Sequence, residues 1–414
     1  MLNLATPTGT EYVDREGFHR PALRGLVAVL ACATVFLAPL GGYLRAAHPE
    51  AAKVPAVLLV GAWLALQVVE RRWPRPHPVQ VLLALLMAVM LISTATHLTS
   101  EFALQYAIRW VPFLVVAGVL VDVCAFRVRV DAIIASAVAG ALVAGLGALQ
   151  SIVIAGDRRA SGPLEDPNDL AYVLAAAVPL LVALLLPPDR PGARRRNALI
   201  GAAAAVLVLG TAATFSRGGI LALTAAVAWL VLRGALSPRV LAASAVTLAA
   251  GAAAFGLAAW GTLRRGLEEK QFVAGDNIDS RLLRWEAAAR VLAREPLLGA
   301  GPGGVRSEYV HASGLAEIAE TTPVTHNMYL EVGADLGLVG LALFLGVIVL
   351  AFVSAERARR SGFDGATVTA VQASLIAVVV ASYFLSEEYY MSLWFVVALC
   401  GALELRARTE RSTT

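Results

Sequence analysis

Apolar residues in this chain fall in blocks of about 18–25, repeated from near residue 23 to residue 404 and separated by short polar links. A block of that length crosses about 30 Å of hydrocarbon as an α-helix. Lipid satisfies no free backbone group, so such blocks fold as helices. The alternating pattern of a barrel strand is absent. Windows between polar punctuation place spans near 23–43, 54–70, 79–98, 102–124, 131–155, 170–187, 198–214, 219–235, 240–261, 328–354, 366–386 and 389–404. The expectation is an all-α polytopic membrane protein with about 12 transmembrane helices. Composition agrees, since 58% of residues are hydrophobic and only 15% charged, against about 25% charged in soluble domains.

Arginine orders these spans. The segments holding Arg15/Arg20/Arg24, Arg71/Arg72/Arg75, Arg127/Arg129, Arg190/Arg194/Arg195/Arg196, Arg233/Arg239, Arg357/Arg359/Arg360 and Arg406/Arg408/Arg411 alternate with weakly charged links such as Ser100-Glu101 and Ser386-Glu387-Glu388. With twelve spans all seven fall on one side, and the positive-inside rule makes that side cytoplasmic. The expected layout is a cytoplasmic tail (1–22), spans one to nine (23–261), one large extracytoplasmic loop with an amphipathic helix (262–327), spans ten to twelve (328–404) and a second cytoplasmic tail (405–414). Met1 to Arg24 lack a signal-peptide cleavage pattern, so the first apolar block reads as a retained span. The expected location is a bacterial inner (plasma) membrane. Cys32, Cys124 and Cys400 each sit alone inside a span, without metal-ligand spacing, and read as packing residues. Nothing in the charge pattern supports nucleic-acid binding.

Three short elements keep arginine on the side the rule disfavours. They are Arg158-Arg159-Ala160-Ser161-Gly162 with Glu165-Asp166-Pro167-Asn168, then Phe215-Ser216-Arg217-Gly218-Gly219, then Ser280-Arg281-Leu282-Leu283-Arg284-Trp285. Asp279 or Ser280 is the expected cap of a helix in the large loop, which ends at Pro296 and a glycine run. On that helix Arg281 and Arg284 share a face, with Trp285 beside Arg281. A single arginine at a membrane edge ordinarily contacts headgroups or snorkels. Three separated ones on one face suit a different purpose, because guanidinium offers a permanent charge and a bidentate fork for phosphate. Of the six histidines, His326 stands where the large loop re-enters the membrane, next to Asn327, and its near-neutral titration suits a base. A lone membrane-edge histidine is more often structural; the company of these arginines shifts that balance. Asp276 and Asp279 read as capping and solvated rather than as a divalent-cation site.

At these residues the chain resembles the O-antigen ligase and polymerase superfamily, polytopic glycosyltransferases that use polyprenyl-diphosphate-linked sugars. The matching pieces run in the family's order: Arg159-x-x-Gly162 with Pro167-Asn168-x-x-Ala171, Ser216-Arg217-Gly218, Ser280-Arg281-x-x-x-Trp285, Pro296-x-x-Gly299-x-Gly301, and His326-Asn327-x-Tyr329-Leu330 with Gly337-x-x-Gly340. They cover about 160–340; spans one to five agree only in hydropathy. Asp335 stands where the family usually has glutamate, and Arg284 has no family counterpart. The resemblance implies a GT-C-like helical fold and glycosyl transfer outside the cytoplasm, without a cofactor or metal. It implies His326, Arg217 and Arg281 as catalytic residues. Arg159, Asn168, Ser216, Trp285, Asn327 and Tyr329 would bind substrate, and Arg284, which shares the Arg281 face, is expected to do so on that placement alone. The implied partners are a polyprenyl-diphosphate-linked glycan donor, a lipid A core or other glycan acceptor, and membrane lipids. Ligase and repeat-unit polymerase both stay open. A transporter or flippase would also suit twelve helices, but predicts similar halves and mid-span charges; only Arg109 is a candidate for the latter. A membrane scaffold would explain the spans and not the motifs.

Overall fold

The computed structural model describes residues 15–48, 50–71, 76–100, 102–164, 166–187, 189–236, 238–318, 323–386 and 388–413. Arg72, Arg75, Glu101, Glu165, Glu387 and the side chains of Arg15, Arg20, Arg239 and Asp276, all singled out in the sequence, lie outside the described residues.

The described chain is helical throughout, with no strand. Its helices are α1 (Arg15–Leu37), α2 (Gly41–Ala47), α3 (Val54–Glu70), α4 (Pro78–Thr96), α5 (Ala103–Phe126), α6 (Val130–Gln150) and α7 (Pro167–Leu180). Then come α8 (Ala193–Ala213), α9 (Arg217–Leu232), α10 (Pro238–Arg294), α11 (Gly304–Ala312), α12 (Met328–Arg360), α13 (Gly365–Ala381) and α14 (Met391–Thr413). Among the described residues, eight helical segments are long and apolar enough to cross a membrane, and α9 and α13 are shorter apolar helices. The first part of α10 and α14 occupy the remaining expected positions. Val57, Val68, Ile108, Leu199 and Val349 lie exposed along these helices, as apolar side chains do where the solvent is lipid. The chain is an all-α multi-pass membrane protein.

Local signals start the helices where the polar links end. His77 caps α4 in a capping box with Gln80, and Pro78 occupies the first turn, where no N–H is needed. Asp166, Ser216, Asn327 and Asp364 cap α7, α9, α12 and α13 through their side-chain oxygens. The centre of the bundle is built by α5, α7, α12, α13 and α14, whose buried faces mix many small or β-branched residues with large ones such as Tyr172, Phe344 and Trp394. The small residues let helices pack closely in lipid.

Among the described residues, the segments of Arg24, Arg127, Arg233, Arg357 and Arg406 are joined at one end of this bundle. Glu70, at the end of α3, accepts from Arg24 of α1 and from Arg127 after α5. Glu356 of α12 pairs with Arg233 after α9 and with Arg359 and Arg360. Glu404 of α14 pairs with His77 before α4, with Arg357 and with Arg408. Arg406 donates to the carbonyls of Cys124 and Val128. Ends of α1, α3, α5, α9, α12 and α14 and the start of α4 are thus tied together, as the alternation of arginine in the sequence requires.

Two elements differ from the expectation. The loop helix has no start at Asp279 or Ser280, because both lie inside α10, which runs on from the ninth apolar segment with a single kink at Ala259. The apolar segment and the arginine-bearing helix form one continuous element. Second, α12 breaks at Gly337 (φ 68°, ψ −173°). Residues 328–336 form a short helix buried in protein from Glu331 onward, and 338–360 form the long apolar helix. At Gly337 a Cβ would sit 2.2 Å from the Leu297 carbonyl oxygen, so only glycine permits both the conformation and the contact. Asp122, near the end of α5, and Glu331 and Asp335, in the short first part of α12, are buried acidic residues. Arg109 is exposed and lies over the Tyr389 ring.

Candidate active site

A second group of arginines, Arg159, Arg217, Arg281 and Arg284, lies around the turn after α13. Its organiser is the turn Ser382-Tyr383-Phe384 after α13. The Ser382 carbonyl accepts from the Met328 amide at 2.9 Å, fixing the start of α12. The Phe384 carbonyl accepts from Arg281 Nη1 at 3.5 Å. Phe384 also packs on Gly218, the residue after Arg217. The Tyr383 ring meets the edge of Trp285 at 5.5 Å. One turn therefore brings together the starts of α9 and α12 and the second half of α10.

Arg159 Nε donates to the Thr214 carbonyl at 2.9 Å and Nη2 to Asn168 Oδ1 at 3.1 Å. Asn168 in turn donates its side-chain amide to Asp166 at 2.9 Å. Arg217 is the first residue of α9, exposed, with no hydrogen bond or ion pair to described residues. Helix α9 reaches α7 because position 219 is glycine; a Cβ there would lie 2.5 Å from Ala171 Cβ. Arg281 is half-buried, and burial together with Arg159, Arg284 and Arg217 lowers its pKa, opposed by Asp166. Those neighbours place Arg159, Arg217, Arg284 and Asp166 within electrostatic reach of Arg281. Arg284 is partly neutralised by Glu317 at 3.3 Å and donates to the Val324 carbonyl. Positive charge exceeds negative here, and such a centre attracts an anion.

His326 completes the group. It adopts a left-handed backbone (φ 53°), strained for a residue with a Cβ. Trp285 Nε1 donates to the Thr325 carbonyl at 3.1 Å and so holds the turn from α10. Asn327 caps α12 on the other side, accepting from the amides of Tyr329 and Leu330, each at 3.1 Å. The imidazole is mostly buried, and burial with the cations Arg281 and Arg284 lowers its pKa to about 4, against smaller opposing effects of Asp166 and Glu331. It is a neutral imidazole at pH 7, able to accept a proton.

Of the residues singled out in the sequence, Arg159, Arg217, Arg281, Arg284 and His326 come together. Ser216, Asn327 and Tyr329 have their polar groups turned inward: Ser216 Oγ accepts from the Gly219 amide, Asn327 caps α12, and the Tyr329 hydroxyl donates to the Val379 carbonyl at 2.6 Å. Asn168 likewise holds Arg159, and Trp285 holds the Thr325 carbonyl. Sequence reasoning missed Asp166, whose N-cap position disguised it, and the Ser382–Phe384 turn, which carries no charged or motif residue. No group of three or more His, Cys, Asp or Glu side chains placed for a metal occurs among the described residues.

The motif pieces are in mutual contact. Ala171 meets Gly219; the Ala300 amide donates to the Ala334 carbonyl and the Leu338 amide to the Pro296 carbonyl. The glycine run after Pro296 thereby packs against the Gly337 break in α12. No curated protein matches the chain. Residues 202–345, about a third of the chain, match the family model described as O-Antigen ligase, a match that supports the O-antigen ligase superfamily and takes in Arg217, Arg281, Arg284 and His326.

Proposed function

We propose that the protein transfers a glycan from a polyprenyl-diphosphate carrier to a sugar hydroxyl of an acceptor. The observation that carries this reading is a neutral histidine beside Arg281 and Arg284, with Arg159 and Arg217 within electrostatic reach of Arg281. Arg217 and Arg281, with Arg159, bind the diphosphate and stabilise the charge that develops as it departs; fixed cations in a partly dry site are well suited to this. A lipid diphosphate leaves without protonation. His326 removes the proton from the acceptor hydroxyl as that oxygen attacks the anomeric carbon, which inverts its configuration. The lipid tail lies among the helices, and α10 and α11 cover the site. The arginine-rich end faces the cytoplasm, with both termini there, and the site faces outward from a bacterial inner membrane.

The acceptor separates a ligase, which uses a lipid A core, from a polymerase, which uses a second repeat unit. The test incubates purified protein with a polyprenyl-diphosphate oligosaccharide and each acceptor in turn. A new glycosidic bond with one acceptor is the expected result. Glycan crossing a liposome membrane with no new bond would instead identify a transporter.

A further inference from the structure

The turn that carries His326 runs directly into the short helix 328–336 of α12. This helix bears two buried carboxyl side chains, Glu331 and Asp335. Residues four apart share one face of a helix, and this face meets the start of α11. Asp335 accepts from the amides of Gly303 and Val305 at 2.7 and 3.1 Å, at a helix start, where N–H groups have no helical partner. Glu331 pairs with Arg306, which is buried as well. The second Glu331 oxygen is buried and has no hydrogen-bond partner among the described residues, so the pairing with Arg306 is what offsets its burial.

Arg306 carries the contact on to the first half of the chain. Its guanidinium carbon stands 4.4 Å from the centre of the Tyr106 ring in α5, a cation over a π face. At Gly303 a Cβ would lie 2.7 Å from that ring and 2.9 Å from Phe102 Cβ. Ser93 of α4 donates to the Leu298 carbonyl at 2.7 Å, just before the glycine run. Helices α4 and α5, which hold none of the motif residues, are therefore the seat of α11 and, through it, of the short helix. Arg159 and Arg281 are bonded elsewhere, to Thr214, Asn168 and Phe384.

We propose that Arg306 is a positioning residue for His326. By binding Glu331 on one side and resting on Tyr106 on the other, it fixes the short helix, and with it the histidine turn, on α5. Its effect on rate rests on the glycosyl-transfer reading. The imidazole must stand within hydrogen-bond reach of the acceptor hydroxyl, and a displacement of about 1 Å at a reacting group costs about 10²-fold. A buried carboxylate that loses its partner is strongly disfavoured, so without Arg306 the short helix shifts to bring Glu331 toward water. Arg306 acts through this helix and touches neither substrate nor the reacting atoms.

Two measurements test this. In the transfer assay, Arg306→Met should lower kcat at least about tenfold with donor KM unchanged, because the arginines that bind the diphosphate have other supports. The double variant Arg306→Met with Glu331→Gln leaves no unpaired buried charge, so it reads the same contact where the single variant fails to fold; its kcat should fall likewise. A folded double variant with unaltered kcat, or a donor KM that rises as kcat falls, overturns the proposal. The second measurement needs no substrate. Carbethoxylation of His326 by diethyl pyrocarbonate, followed by mass spectrometry, should be several-fold faster in the double variant. His77, buried beside Glu404, should react at its unaltered rate. An unchanged rate at His326, or equal acceleration at both histidines, overturns the positioning role. If the unaltered protein forms no glycosidic bond, the functional reading fails, while the His326 modification rate still decides whether Arg306 holds the turn.

Discussion

At the scale of single residues the account depends on charge. His326 is neutral because it is buried beside Arg281 and Arg284. Its folded-state pKa of about 4 lies below the unfolded value of about 6.5, so it favours the fold above pH 6.5 and loses that contribution as pH falls toward 4. Transfer limited by this base should be level from pH 7 to about 5 and decline below. A bound diphosphate supplies negative charge and should raise the His326 pKa, which NMR titration of the labelled imidazole would detect; an unchanged titration would place the anion elsewhere. Ser216→Ala removes the cap of α9 and should cost about 1 kcal/mol in stability, read as a lower Tm in detergent. Donor KM should change little, because the Ser216 hydroxyl is occupied by the Gly219 amide.

At the scale of elements, two glycines carry the site's geometry. Gly337→Ala places a Cβ against the Leu297 carbonyl in a backbone region open only to glycine. It should cost about 1–3 kcal/mol or more and abolish transfer by displacing the short helix that begins at Met328. Gly219→Leu should push α9 away from Ala171 and move Arg217, raising donor KM before it unfolds the protein; a normal KM would mean that α9 does not set the position of Arg217. The short helix 328–336 was not legible in the sequence. Its apolar residues join smoothly to those after Gly337, and hydropathy does not register a left-handed glycine. The continuity of α10 was hidden for the opposite reason: the polar residues from Arg264 to Asp279 read as a break in a span, while the backbone stays helical through them.

At the scale of the whole molecule, sequence and structure agree most closely where charge decides. The alternating arginines reappear as ion pairs around Glu70, Glu356 and Glu404 at one end, and the arginines left over reappear together at the other. Positions four or five motifs apart in the sequence were readable because each carries a cation, a glycine or a histidine. Asp166 and the Ser382–Phe384 turn were not, since an N-cap aspartate and a backbone carbonyl look ordinary until the helices are assembled. The topology predicts that single cysteines introduced at Gly362 and at Gly156 are labelled by an impermeant reagent from opposite sides of intact cells, with Gly156 reached from outside. Labelling of both from one side would break the link between the span order and the site.

The central claim is that the arginine–histidine cluster performs glycosyl transfer. The direct measurement is formation of a glycosidic bond from a polyprenyl-diphosphate oligosaccharide by the unaltered protein, His326→Ala and Arg217→Ala, each folded and monodisperse. Rates should fall by about 10²–10⁴-fold in His326→Ala and about 10²–10³-fold in Arg217→Ala. Transfer at the unaltered rate in either variant would contradict the account.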